Sequence, residues 1–126
     1  MTPQLQPATL KKAERIKSLK TIDELFKNGS SFFLTPFKVL YSLNTSPVSN
    51  AAFMVSKRNF KNATDRNRIK RLVRESWRIN RHLLHTVKGP IYVQIIFIYT
   101  SHTLPGQDTV HLAMHKCIQK ICSTEP

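Results

Sequence analysis

Acidic side chains are scarce. Across 126 residues, 7 Asp and Glu stand against 20 Lys and Arg, leaving a formal net charge of +13. The few carboxylates are scattered, so the paired acid and base that side-chain catalysis needs is missing. No nucleophile motif accompanies them, and His82 and His85 sit in no catalytic pattern. Glycine is also rare, at 3 residues, and no Gly-rich phosphate loop can be built. The 2 cysteines, Cys117 and Cys122, are spaced poorly for a disulfide if they share a helix, so a reducing, cytoplasmic setting is expected. The longest strongly apolar run, IYVQIIFIY at 91–99, is too short to span a bilayer. The N-terminal stretch lacks the continuous apolar segment of a signal peptide and is poor in the Ser and Arg of an organellar transit peptide.

What remains is a basic chain with enough apolar content, 40%, to bury a core. Its length fits one domain. A charge this one-sided says little about fold and much about partners, and a polyanion is the expected counterpart. Half of the 20 basic residues fall in 57–81: Lys57, Arg58, Lys61, Arg66, Arg68, Lys70, Arg71, Arg74, Arg78 and Arg81. Only Asp65 and Glu75 oppose them there. A weaker cluster, Lys11, Lys12, Arg15, Lys17 and Lys20, lies nearer the N-terminus.

Residues 1–10, with two prolines and no charged side chain, read as a flexible lead-in to a single domain over 11–126. TIDELFKN at 21–28 reads as a short helix, with Thr21 and Glu24 as a capping box and Asn28-Gly29 as its stop. FKVLYSL at 37–43 and AAFMVS at 51–56 carry strand-forming residues and are expected to pair as an antiparallel hairpin across a longer loop. Helical period takes over at 62–86, ended by Gly89-Pro90. Residues 91–98, apolar on both faces, are expected as a central strand. A last helix over 108–122 has Asp108 as its expected N-cap. The order α-β-β-α-β-α makes an α+β sandwich, one small sheet with helices packed against it.

The 62–86 helix is two-faced. On a wheel, Ile69, Leu72, Val73, Trp77, Ile79, Leu83 and Leu84 share one arc. Asn67, Lys70, Arg71, Arg74, Arg78 and Arg81 occupy the opposite side. A merely solvated face would mix signs and place Glu four residues ahead of its cations. Here like charges stack on neighbouring turns, an arrangement that phosphate would turn from repulsion into attraction. The cations are mostly Arg, whose planar fork binds phosphate oxygens in pairs and stacks on bases. Asn67 adds a donor and an acceptor suited to sugars and base edges. Lys57, Arg58 and Lys61 extend the basic surface around the helix N-terminus, where the dipole also favours anions.

The segment SKRNFKNATDRNRIKRLVRESWR resembles the signature of the bacterial ribonuclease P protein component. That signature is an Arg-Asn-Arg core followed by Lys-Arg and Arg-Glu, matched here by Arg66, Asn67, Arg68, Lys70, Arg71, Arg74 and Glu75. The likeness continues through ERIKSLKTIDELFKNG, PFKVLYSLN, IYVQIIFIY and the last helix, covering about residues 14–122. The resemblance implies the protein subunit of a ribonucleoprotein endonuclease that removes the 5′ leader of precursor tRNA. It implies that the RNA subunit carries catalysis and, with the substrate, the Mg2+ ions, so no catalytic or metal-binding side chain is expected. It implies that Lys57, Arg58, Lys61, Arg66, Asn67, Arg68, Lys70, Arg71, Arg74 and Arg78 contact the catalytic RNA. It further implies a cleft between the first helix and the sheet for the single-stranded leader, lined by Phe26 and Tyr41, with Ile22 where the family carries another aromatic. Stacking beside cations is the expected way to hold such a strand. A left-handed β-α-β crossover, against the usual rule, is implied as well.

Other readings are weaker. A non-catalytic module for structured RNA, such as a ribosomal or assembly protein, explains the charge but not the signature. No membrane or DNA partner is expected: no exposed amphipathic anchor is visible, and no helix-turn-helix. His111, His115 and Cys122 share a helix face, yet Cys122 is two turns from His115 and a fourth zinc ligand is missing.

Overall fold

The computed structural model describes residues 19–44, 47, 49–86 and 91–124. The expected lead-in and the basic residues before Lys20 lie outside them, as does Gly89-Pro90. The elements are α1 Leu19–Asn28, β1 Ser30–Leu34, β2 Phe37–Leu43, β3 Asn50–Val55, α2 Ala63–Asn80, α3 Leu83–Thr86, β4 Val93–Tyr99 and α4 Gln107–Thr124. The α+β class holds, with an additional strand and an additional short helix.

The sheet has four strands in the order β1-β2-β4-β3. β1 runs antiparallel to β2 through a two-residue turn, with Leu34 opposite Phe37. That strand escapes sequence reading because SSFFL shows no clean alternation; only the pairing sends Phe32 inward and Phe33 outward. The expected hairpin of 37–43 with 51–56 does not form. β4 lies between the two segments, antiparallel to β2 and parallel to β3. The reason is the composition of β4, whose apolar residues on both faces favour an interior position. A parallel β3–β4 pair needs a crossover, which α2 supplies. Two bonds tie the connection after β2 to the start of β4: Asn44 N–H donates to the Tyr92 carbonyl at 2.8 Å, and Val93 N–H to Ser49 Oγ at 3.2 Å.

Strand alternation divides the core in two. One side of the sheet presents Phe37, Val39 and Tyr41 of β2 with Ile95, Phe97 and Tyr99 of β4, all buried under α2 and α4. Ile69, Val73 and Trp77 enter from α2, and Met114, Ile118 and Ile121 from α4. Trp77 meets Phe97 at 5.6 Å between ring centroids. The other side is thin: Leu25 of α1 closes on Leu40 and Ile96, with Ile22, Ala52, Met54 and Ile98 half-buried around them.

Three helix ends differ from expectation. α1 already includes Leu19, so Thr21 is an interior helical residue and not an N-cap. Asp108 lies in the first turn of α4, whose Val110 N–H bonds the Gly106 carbonyl; it acts through the helix dipole and not as a cap. The 62–86 helix breaks after Asn80. Asn80 Nδ2 donates to the Ser76 carbonyl at 2.9 Å, and His82 Nδ1 lies 2.9 Å from the Ile79 carbonyl, so side chains satisfy the terminal acceptors. The break lets α3 turn Leu84 into the core, while Ile79, left at the edge, stays exposed.

Candidate nucleic-acid interface

The basic surface begins in the loop between β3 and α2, which is fixed by its neutral residues. Phe60 is buried beside Tyr99, with ring centroids 6.1 Å apart. Asn59 Nδ2 donates to the Thr100 carbonyl at 3.2 Å, and Phe60 N–H to the Ser56 carbonyl at 3.1 Å. Lys57, Arg58 and Lys61 are left exposed on this pinned loop. Asn62 then occupies the N-cap of α2 without a side-chain cap bond. The free N–H groups of the first turn therefore add to the local positive potential.

The cations of α2 fall into two groups. Arg66 is half-buried, and its Nη1 donates to the carbonyls of Phe60 at 2.7 Å and Lys61 at 2.9 Å. It closes the loop onto the helix. Arg78 is paired with Glu75, Nη2 to Oε1 at 2.5 Å and Nε to Oε2 at 3.4 Å, with 28% and 27% of the two side chains exposed. That hydrogen bond raises the Arg78 pKa further above its already high value. Both arginines thus have partners within the protein.

Arg68, Lys70, Arg71 and Arg74 form the second group. With Thr64 and Asn67 they line an open groove of about 520 Å³ along the outward face of α2. Arg68, Lys70, Arg71 and Asn67 are exposed, and Arg74 is half-exposed. No carboxylate lines the groove. Trp77, Val73 and Ile69 anchor the helix from beneath, so the guanidinium groups are carried by a rigid element whose position is set by the core. Four cations around one groove can bind several oxygens of a phosphate backbone at once.

The expected leader cleft is partly rearranged. Ile22 and Phe26 lie on the α1 side of the sheet, Ile22 half-buried against the small core and Phe26 48% exposed. Tyr41 is not there. It is buried, 3% exposed, on the opposite face and meets Phe32 edge-to-face at 6.1 Å. One residue of strand parity decides this, since Leu40 is the neighbour that faces α1. The aromatic that the sheet does present on the α1 side is Phe33, 62% exposed and opposite Lys38 in register. Sequence reasoning missed both. The adjacent pair Phe32-Phe33 was a signal, because two neighbouring strand residues cannot both point inward.

Among the described residues, no group of three or more His, Cys, Asp or Glu is placed to hold a metal ion. Cys117 and Cys122 are free thiols, both buried. Burial pushes the Cys117 thiol up to about 12, and Cys122 Sγ donates to the Leu83 carbonyl at 3.6 Å. No described helix is long and apolar enough to cross a membrane.

A family model described as Ribonuclease P matches residues 10–122. The chain is 39% identical over 127 residues to the ribonuclease P protein component of Porphyromonas gingivalis, covering 95% of this chain and 93% of that protein. Among solved structures, the RNase P protein from Thermotoga maritima superposes with a TM-score of 0.73 at 25% identity, covering 85% of this chain and 96% of the other. The Staphylococcus aureus RNase P protein gives 0.63 at 26% identity, covering 89% and 94%.

Proposed function

We propose a mechanism on one premise: this chain belongs to the ribonuclease P protein family. It is a protein subunit of ribonuclease P, an endoribonuclease of tRNA 5′ processing, and its partners are the RNase P RNA and the tRNA substrate. The finer assignment is our reading. The α2 groove grips the catalytic RNA, and the α1 side of the sheet holds the 5′ leader of precursor tRNA. The single observation that carries the first assignment is the groove of Arg68, Lys70, Arg71 and Arg74, which lacks any internal counter-charge.

In this reading each cation has a distinct task. Arg68, Lys70, Arg71 and Arg74, with Asn67, bind phosphate and sugar directly. Lys57, Arg58 and Lys61 extend the contact from a loop already ordered before RNA arrives, so little conformational entropy is lost on binding. Arg66 keeps that loop in place, and Arg78 sits at the edge of the contact with its charge offset by Glu75. On the other side of the sheet, Phe26 and Phe33 offer faces for unstacked bases, with Lys38 near the backbone. Ile22 supplies an apolar wall.

Bond cleavage is left to the RNA. No side chain of the protein is assigned an acid, base or nucleophile role. The Mg2+ ions are assigned to the RNA subunit and the substrate phosphates; on the protein, Glu75, which follows the groove residue Arg74, is paired with Arg78. The protein raises local phosphate screening and substrate affinity, so less Mg2+ is needed. A cytoplasmic location fits a partner made of RNA and buried free thiols.

Reconstitution tests this directly. Added to a bacterial RNase P RNA at low Mg2+, the chain should restore removal of the 5′ leader, and alone it should cleave nothing. Failure to restore cleavage with several such RNAs would overturn the proposal and favour a module for some other structured RNA.

A further inference from the structure

Three chain connections meet at one end of the sheet. In register, Leu34, Phe37, Tyr99 and Val55 form a row across β1, β2, β4 and β3. Beyond that row the chain turns through Thr35 and Pro36, leaves β3 at Ser56 for the basic loop, and leaves β4 at Thr100 for α4. The turn belongs to the hairpin that carries Phe33 and Lys38, a register pair one rung from it. The basic loop carries Lys57, Arg58 and Lys61, all exposed. Both RNA surfaces assigned above therefore reach this end of the sheet.

Thr100 joins the three connections. Its backbone N–H and its hydroxyl both donate to the Pro36 carbonyl, each at 2.9 Å. Its own carbonyl accepts from Asn59 Nδ2 at 3.2 Å, and the same amide nitrogen lies 3.5 Å from the Ser101 carbonyl. Arg66 continues the path by holding Phe60 and Lys61 to α2. Beneath these bonds the rings of Phe60, Tyr99 and Phe37 follow one another, with 6.1 Å between successive centroids. Apolar contact is non-directional and gives the loop depth without register. The hydrogen bonds are directional and supply the register.

Asn59 is the informative residue. It is half-buried between exposed cations, and its side-chain amide spans 41 positions of sequence to reach β4's end. We propose that Asn59 is a positioning residue. Through Thr100 and Pro36 it holds the basic loop at a fixed spacing from the β1–β2 hairpin, and so sets where the leader surface lies relative to the catalytic RNA. Its amide is spent inside the protein and acts on RNA only through its neighbours. The scissile phosphate lies between the leader and the tRNA body, so the two grips must agree on its place. Small errors in such placement cost large factors in rate. Cutting the link leaves both grips present but lets their spacing drift, the usual failure of a site whose support is loose.

The inference rests on the ribonuclease P reading, and the test keeps the two apart. The holoenzyme is reconstituted from the full chain and a bacterial RNase P RNA. kcat/KM is read for a precursor tRNA with a long leader and for one with a single-nucleotide leader. The wild-type holoenzyme should favour the long leader. Asn59→Ala should lower that preference roughly fivefold, the scale of one hydrogen bond. In a Phe33→Ala background it should lower it no further, because the spacing then serves no leader contact. Thr100→Val keeps the backbone bonds and removes only the hydroxyl. It should lower the preference about twofold, and it serves where Asn59→Ala does not fold. A preference unchanged by both variants, with the two substrates losing rate alike, would reduce Asn59 to a structural role and overturn the proposal. A loss that persists in full without Phe33 would overturn it too, since Asn59 would then act on the leader by itself. A wild-type enzyme indifferent to leader length would overturn the proposal together with the leader assignment. A chain that restores no cleavage would instead overturn the functional reading itself.

Discussion

The two faces of the sheet are built to different standards. Under α2 and α4 the sheet is closed by large interlocking side chains, among them Trp77, Phe97 and Phe37 at no more than 1% exposure. Under α1, among the described residues, only Leu25, Leu40 and Ile96 are buried, and Phe26 and Phe33 remain in solvent. The closed face provides stability and holds α2 in place. The open face cannot provide much stability, and its unfilled surface is what a strand of RNA can occupy. The proposed RNA contacts sit on the outside of the stable layer and on the unfinished side of the other.

Substitutions should separate these regions. Trp77→Ala removes the largest fully buried side chain of the closed face and should lower stability by about 3–5 kcal/mol. The half-buried Ile22→Ala on the open face should lose only about 1–2 kcal/mol. Denaturant unfolding of both variants measures the contrast, and equal losses would erase it.

Next in size is the double variant Arg68→Ala with Arg71→Ala. Two lost charge-assisted contacts of about 1.5 kcal/mol each should weaken binding of RNase P RNA by about 100-fold. The slope of log affinity against log salt should fall by about 2. Thermal unfolding should barely move, since neither side chain is buried. Full affinity in a filter-binding titration would remove the groove from the interface.

Phe26→Ala should lower affinity for precursor tRNA with a long leader by about 1–3 kcal/mol, the worth of one stacked base. Binding of leaderless tRNA should not change. Tyr41→Phe, on the closed face, should leave leader affinity as it was, and a loss there would restore Tyr41 to the cleft.

The smallest effect is expected at Arg78. Its pair with Glu75 is partly exposed, so Arg78→Ala should change stability by at most about 1 kcal/mol. RNA affinity should fall far less than for Arg68 and Arg71 together. An equal loss would show that the Glu75 pair opens on binding.

Much of this architecture was legible in residue order. The period of 62–80 identified both the anchor and the cationic stripe, and the apolar run at 93–99 marked a central strand. The Arg-Asn-Arg signature pointed to the family. Pairing was less legible. A hairpin between 37–43 and 51–56 was the local solution, and β4 displaced it because pairing on both edges buries more of an apolar strand than an edge position does. Cleft residues suffered from parity: a strand seen alone does not say whether Leu40 or Tyr41 meets α1. Arg66 looked like its neighbours until its carbonyl partners came into view.

Residue order by itself determined the excess of positive charge, the helical and strand periods, and the two-faced character of α2, because these depend on side chains within a few positions of one another. Tertiary structure alone decided which strands are neighbours, which aromatics reach the surface, and which arginines are left without an internal partner. Those outcomes depend on groups far apart in the chain, as when Gln94 finds Ser42 and Asn50 beside it, and their energies are set only when the layers close.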